Sequence, residues 1–305
     1  MRILFLNHNF CEMGTYWRCI FLARHLVKNG HKVTIVARSR HNEGIRCSKW
    51  GIDMTFIPGW KTQWLRRIPL VLEKDFDLIH IFAAANFCNS LPGLFARLFK
   101  GVRILVDWDD WYTRGGFLQG KPWVPVITMM EEKLPLLASA VTVVSEALRR
   151  RALICGVEDE KIFKIENGSN VDEVKVLSKS ESRIKLELDD SLRISYLGSY
   201  PSEIKMLLRI IKEVRDSVGS AKLMIIGSKG RSTDAVSFLG HVSYDKVQYY
   251  LAASDVLCMP MDDTPVERAR WPIKMGEYMA SGRPIVGSNV GEVGKLLQGG
   301  DVSLV

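Results

Sequence analysis

Short apolar runs alternate with stretches of helical period along this chain, and the alternation occurs twice. Runs of strand length stand at 2–6, 32–37, 54–57, 78–82, 103–107 and 140–144. Between the first two, Tyr16, Ile20, Ala23 and Val27 recur at the spacing of one helix face, and Asn29 and Gly30 supply the stop. Strand, helix and strand repeated in this order pack as a parallel sheet wrapped by helices. A second series follows a polar stretch, with strands at 192–197, 222–226, 256–260 and 284–286 and a helix face of Ile204, Leu207, Leu208, Ile211, Val214 and Val218. The expected fold is α/β: two Rossmann-like domains, 1–170 and 192–305, facing across a cleft and joined by a linker at 171–191. At 305 residues and 47% hydrophobic, each half can enclose its own core.

The stretch RWPIKMGEYMASGRPIV at 270–286 carries the most chemistry. Pro272 is expected at the first helical position and Gly282 at the stop, which leaves the amides of Ile273 and Lys274 pointing out of the helix end. Unpaired N–H groups and the macrodipole favour an anion there. Glu277, one turn on, is a carboxylate able to accept hydrogen bonds from sugar hydroxyls. A diphosphate with a sugar on each side fits such a seat; an ordinary helix with a Pro start and a Gly stop is the alternative reading of the same residues.

The excess of 42 Lys+Arg over 34 Asp+Glu, a formal +8, suits an anionic partner. The basic residues are dispersed and no RNP or zinc-finger motif appears, so nucleic acid is set aside. Six cysteines without a C-x-x-C pair or metal spacing read as buried thiols in a reducing cytosol. The apolar run at 3–6 is a strand and no signal peptide, and no apolar stretch is long enough to span a bilayer. Asn167, with Gly168 and Ser169, forms a glycosylation sequon that reads as a turn.

Several separated motifs stand in a fixed order: NGHKVT at 29–34, DLIH at 77–80, VVSEAL at 143–148, IENGS at 165–169, YLG at 196–198, IIG at 225–227, FLGHV at 238–242 and KMGEYMASGRPIV at 274–286. Together they make the chain resemble the GT-B glycosyltransferases, in particular the retaining family four. The resemblance implies transfer of a sugar from a nucleoside-diphosphate donor to a hydroxyl acceptor, lipid-linked or polysaccharide, with retention of configuration and no obligatory metal or other cofactor. It places the donor against Gly198, Gly227 and Val242, the phosphate-binding lysine at Lys205 and the ribose carboxylate at Glu277. It also places a glycine-rich loop at Met13, Gly14 and Thr15, of which one glycine remains. Charge grows on the departing diphosphate, so a cation positioned beforehand lowers the barrier. Lys205 is the first candidate and Lys274 a second; a solvated surface lysine is the alternative for each.

Three departures stand out. The family's first Glu, eight residues before the second, falls on Ala269, with Glu267 the nearest substitute. Ser199 stands where an Arg commonly follows the strand glycine, whereas Arg268 and Arg270 occupy the other loop, as if a phosphate contact had moved or an acidic sugar were read there. Asp107, Asp109 and Asp110 replace a His-Asp element near the reaction centre. A carboxylate there orients or deprotonates an acceptor hydroxyl or steadies oxocarbenium charge; capping of the next turn is the competing reading. His80 reads as a buried strand-end histidine. A relative that has lost catalysis, or a GT-B epimerase, remains the alternative function. A dinucleotide dehydrogenase does not, since no G-x-G-x-x-G follows the first strand.

At 59–74, Trp60, Trp64, Leu65, Ile68 and Leu72 share roughly one side, with Lys61, Arg66 and Arg67 nearby. A core-facing helix with a basic outer face is the preferred reading, and peripheral contact with an anionic membrane on the cytoplasmic side the alternative. Residues 300–305 fall where family members continue with further helices, so a short or truncated form is expected.

Overall fold

The computed structural model describes residues 1–39, 44–59, 62–73, 75–118, 120–171 and 176–299. The chain divides into two units: unit 1 holds Met1–Asn167 with Arg268–Trp271, and unit 2 holds Gly168–Glu267 and the chain from Pro272 on.

Unit 1 opens with β1 (Arg2–Phe10), α1 (Thr15–Lys28) and β2 (Lys32–Arg38), then β3 (Ile45–Lys49), β4 (Ile52–Ile57) and α2 (Gln63–Glu73). It continues through β5 (Leu78–Phe82), α3 (Phe87–Lys100), β6 (Arg103–Trp108), α4 (Val124–Leu137), β7 (Ala140–Val143), α5 (Glu146–Ile154) and β8 (Ile162–Lys164). The strands form one eight-stranded sheet in the order β3-β4-β2-β1-β5-β6-β7-β8. All neighbours are parallel except β3, which lies antiparallel on β4. The α1 stripe behaves as its period requires: Tyr16, Ile20 and Ala23 are buried on Ile3, Phe5 and Ile35 of the sheet. Every residue of β3 is exposed, which is why no apolar run announced it.

The α2 helix corrects the sequence reading. Its buried residues are Gln63, Arg67 and Val71, one turn apart, while Leu65 is 49% exposed. The basic residue Arg67 therefore faces inward, and the expected basic outer face is carried by Arg66. Trp60, Lys61 and Lys74 of that segment lie outside the described residues.

Unit 2 comprises α6 (Lys179–Lys185), β9 (Arg193–Leu197), α7 (Pro201–Val218), β10 (Lys222–Ile226), β11 (Val236–Phe238) and α8 (Tyr244–Ala252). It then adds β12 (Val256–Met259), the start of α9 (Pro265–Ala269), whose last residues Arg268 and Ala269 belong to unit 1, then α10 (Ile273–Ser281), β13 (Ile285–Gly287) and α11 (Gly291–Gln298). Its five strands run in the order β11-β10-β9-β12-β13, all parallel. On α7, Leu207 and Ile211 are buried; Leu208 is 41% exposed because a 100° step turns it off the face that meets the sheet, and Val218, the last residue of the helix, is 57% exposed. The polar stretch read as a linker contains α6: Ser178 caps it by accepting from Glu181 N, and Arg183 is buried against Asp255 at 2.6 Å. Residues 300–305 lie outside the described residues. The six cysteines are all thiols; the expectation of burial is met in full at Cys19 and in part at Cys11, Cys88, Cys155 and Cys258, which are half-buried, and fails at Cys47 on the exposed edge strand.

Candidate active site

In unit 1 the sheet delivers two acids to the carboxyl end of β6, and their surroundings separate them. Asp107 is fully buried and takes a two-point fork from Arg18 on α1, Nε to Oδ2 at 2.8 Å and Nη2 to Oδ1 at 2.8 Å, with a further hydrogen bond from Thr142 Oγ1. Burial raises its pKa, but Arg18 and these hydrogen bonds outweigh burial and hold the carboxyl below its usual range. Asp107 is thus a fixed anion with its oxygens committed. Asp109, just beyond the strand, accepts from Thr15 Oγ1 at 2.5 Å through Oδ2, while Oδ1 is buried without a hydrogen-bond partner. Burial, and then the Asp107 charge, push its pKa up to about 6. A carboxylate poised near neutrality with one unused oxygen can accept a proton.

The backbone ahead of α1 makes the Thr15 contact possible. Gly14 takes φ 50°, and a Cβ there would lie 2.7 Å from Asn9 Nδ2, so a side chain is excluded. Beyond Asp109 the chain is held by Glu131 of α4, buried and accepting from Trp108 Nε1 (3.2 Å), Tyr112 N (2.9 Å) and Thr113 N (3.0 Å). Asp110 is half-buried. His80 is buried among Phe5 and Phe82, and burial pushes its pKa down to about 4, so it stays neutral.

Arg18 also reaches Asn167 Oδ1 at 2.9 Å. Asn167 donates to the Trp271 carbonyl at 2.7 Å, and Trp271 Nε1 returns a bond to the Asn167 carbonyl at 2.6 Å. Ala269 is fully buried, with its carbonyl accepting from Ser145 Oγ at 2.7 Å. The position of the family's first carboxylate is thus occupied by a buried methyl group. Of the two loop arginines, Arg268 is exposed and Arg270 half-buried, both in unit 1.

In unit 2, strand ends made of glycine converge. Gly198 follows β9 at φ 148° and donates to Ile226 O at 2.7 Å; Gly227 follows β10 at φ 101° and donates to Gly240 O at 2.8 Å. A Cβ on Gly227 would stand 3.4 Å from Gly198 O, so these ends form a close backbone floor. Tyr278 of α10 anchors it, accepting from Leu197 N at 2.8 Å and donating to Cys258 O at 3.2 Å. The α10 helix starts at Ile273, one residue later than expected, with Pro272 as its N-cap residue; Pro272 supplies the carbonyl bonded by Met275 N, and no side chain caps the end. Gly282 closes the helix at φ 65° as expected.

The two lysines part company. Lys205 is exposed on α7, two residues past Glu203, which is buried. Lys274 instead bonds Glu203 Oε2 at 2.5 Å, lies 4.0 Å from the Tyr196 ring centroid and sits 3.2 Å from where a Gly198 Cβ would be. Glu203 also accepts from Tyr196 Oη at 2.5 Å. The cation at the glycine floor is therefore Lys274, the second of the two lysines named from the sequence; its pairing with Glu203 was not legible there because the two are 71 residues apart. Glu277 is buried and its pKa rises to about 7 through burial, opposed by Tyr244 and Lys274. Glu267 is buried, its N–H donating to Thr264 Oγ1 at 3.2 Å; Ser199 is exposed and Val242 half-buried. Among the described residues no group of three or more His, Cys, Asp or Glu is placed to hold a metal ion.

Two Rossmann-like units, one ending its strands in a glycine floor and the other in a poised carboxylate, define the GT-B class of glycosyltransferase. Solved structures share this fold along nearly the whole chain. Sucrose-phosphate synthase from Thermosynechococcus elongatus is 16% identical with a TM-score of 0.74, over 97% of this chain and 84% of that one. Anabaena HepE, solved in complex with UDP-glucose, is 16% identical with a TM-score of 0.75, over 100% of this chain and 85% of that one. The sequence model for "Glycosyltransferase Family 4" matches residues 17–173 and that for "Glycosyl transferases group 1" matches 191–305, and the chain belongs to Glycosyltransferase Family 4. TuaH of Bacillus subtilis (strain 168), a glycosyltransferase assigned to teichuronic acid biosynthesis, is 23% identical over 184 residues, 56% of this chain. The match spans 45% of that relative's length.

Proposed function

We propose that the chain transfers a sugar from a nucleoside-diphosphate sugar to a hydroxyl acceptor, with unit 2 holding the donor and unit 1 the acceptor. The observation that carries this reading is the glycine floor of Gly198 and Gly227 with Lys274 beside it and the start of α10 following. The first amides of α10 and the fixed Lys274 ammonium stabilise the charge that grows on the departing diphosphate, while the glycines, whose own N–H groups are spent on Ile226 O and Gly240 O, let it approach the backbone. Glu277, ionised above pH about 7, accepts from the donor ribose hydroxyls. Asp109 orients the acceptor hydroxyl through its unused oxygen and takes its proton as the new glycosidic bond forms. The HepE complex with UDP-glucose supports a sugar nucleotide as the donor class.

Retention at the anomeric carbon belongs to the proposal and rests on family membership alone. Independence from metal belongs to it too, on the ground that Lys274 and the helix amides carry the positive charge. The acceptor class proposed is a lipid-linked sugar or polysaccharide met on the cytoplasmic side; the exposed Leu65 beside Arg66 on α2 supports peripheral contact with an anionic membrane there. Incubation with a panel of nucleotide sugars, with and without EDTA, tests the core of the reading. Slow donor hydrolysis that survives EDTA supports it; no turnover and no diphosphate binding across the panel removes it. Proton NMR of the product's anomeric centre decides retention, and co-sedimentation with anionic against neutral vesicles decides membrane contact.

A further inference from the structure

Among the described residues five arginines are buried: Arg18, Arg67, Arg151, Arg183 and Arg193. Four of them meet a carboxylate: Arg18 with Asp107, Arg151 with Glu131, Arg183 with Asp255 and Arg193 with Asp189. Arg67 meets none. It is 0% exposed, and its partners are neutral amides, Asn89 Oδ1 at 2.5 Å and Gln63 Oε1 at 3.1 Å, while Nε has no partner.

The holders are themselves fixed by the ends of strands. Gln63 donates to Ile57 O at 2.9 Å and Gly59 O at 2.7 Å, and Asn89 donates to Phe82 O. Both N–H groups of Gln63 and one of Asn89 go to backbone carbonyls, and both amides present oxygen to the donor-only guanidinium, so Arg67 is gripped at the carboxyl ends of β4 and β5. At the neighbouring ends of β1 and β2 stand His8 and Arg38, both half-buried. The His8 Nδ1 atom is buried without a hydrogen-bond partner. Burial, then Arg67 and then Arg38, push the His8 pKa down to about 3, so both arginines act on this ring. A buried cation without a counter-charge is strongly destabilising, and a bound anion removes that penalty.

We propose that the carboxyl ends of β1, β2, β4 and β5 form an oxyanion-binding site, with Arg67 as its buried cation and His8 and Arg38 at its mouth, and that it takes the phosphate or carboxylate of an acidic acceptor. The acceptor role rests on the reading of unit 1 given above; the anion site itself does not. Parallel α/β sheets bind ligands at the carboxyl ends of their strands, and this is that edge of unit 1.

The test is calorimetric titration of the whole chain with inorganic phosphate, glucuronate and glucose, in the presence of a saturating nucleoside diphosphate so that the donor seat is filled. At least one anion is expected to bind, glucose is not, and Arg67→Met should weaken the anion by about ten- to a hundredfold while diphosphate affinity holds. Binding of phosphate alone indicates a phosphorylated acceptor, and of glucuronate alone an acidic sugar. Should Arg67→Met fail to fold, the wild type decides: the His8 ring resonances must move as the anion saturates. Glucose binding as tightly as either anion, neither anion binding, an unmoved His8 ring, or a folded Arg67→Met with unchanged anion affinity each overturns the proposal. If no diphosphate binds at all, the transferase reading fails, and the anion titrations, run without it, still give their own answer.

Discussion

Asp109→Asn is expected to make the protein more stable and less active in the same step. The folded state holds this carboxyl at about 6 rather than 3.8. A shift of two units corresponds to about 3 kcal/mol. The sign follows from proton binding: between pH about 4 and 6 the native chain keeps the Asp109 proton and the unfolded chain gives it up, so stability falls as pH rises through that window. Above pH about 6 the whole penalty for burying the charge is present. Asparagine carries no charge to bury and still offers Thr15 an oxygen. Denaturant unfolding at pH 7.5 should therefore show the variant more stable than wild type by up to about 3 kcal/mol, and the gap should close toward pH 4. Transfer should fall by about a hundredfold or more with the loss of a general base. In the wild type at saturating donor, activity should climb with pH, half-maximal at about 6 and level roughly a pH unit or more above it. A variant less stable at pH 7.5, or a gap that ignores pH, refutes the account of burial; undiminished transfer removes Asp109 from the reaction.

Lys274→Ala should weaken diphosphate binding and also lower the melting temperature, because Glu203 is left buried without its cation; Lys205→Ala, at an exposed position, should change neither. Calorimetry and thermal unfolding on the pair check this, and equal losses in both variants would return Lys205 to the site. Gly198→Ala places a Cβ 2.7 Å from Tyr196 Oη at φ 148°, so it should cost about 1–3 kcal/mol in stability and reduce diphosphate affinity. Glu277→Gln should abolish the rise in diphosphate affinity expected of the wild type between pH 6 and 8, since only the ionised form, reached above about 7, accepts strongly from ribose; a pH-dependence that survives the substitution excludes Glu277.

What the sequence disclosed follows from range. The α1 stripe and the Gly282 stop are local signals, and both appear where the period and the left-handed glycine put them. The roles of the acids were not local. Asp107 and Asp109 look alike along β6, and the difference between a committed and a poised carboxylate is made by Arg18 and Thr15 on α1, 89 and 94 residues away. Arg67 was misread for a related reason. Arginine is rarely buried, so a helix with a basic residue is drawn with that residue outward, and nothing near it reveals that Gln63 and Asn89 will turn it in. The edge strand β3 has no buried face and hence no alternation to read.

The return of Arg268–Trp271 to unit 1 has a consequence for how the chain is made. A nascent chain that has passed Asn167 has produced every strand of the first sheet, yet Ser145 still lacks the Ala269 carbonyl and Asn167 both of its Trp271 partners. Synthesis at roughly 5–20 residues per second leaves that gap open for about 5–20 s while unit 2 emerges. A fragment ended at Asn167 carries the same vacancies permanently, in the network that orients Arg18. Unit 1 is thus completed only by a segment that follows β9 to β12 of unit 2 in the chain, and the Asp107 ion pair gains its outer support only then.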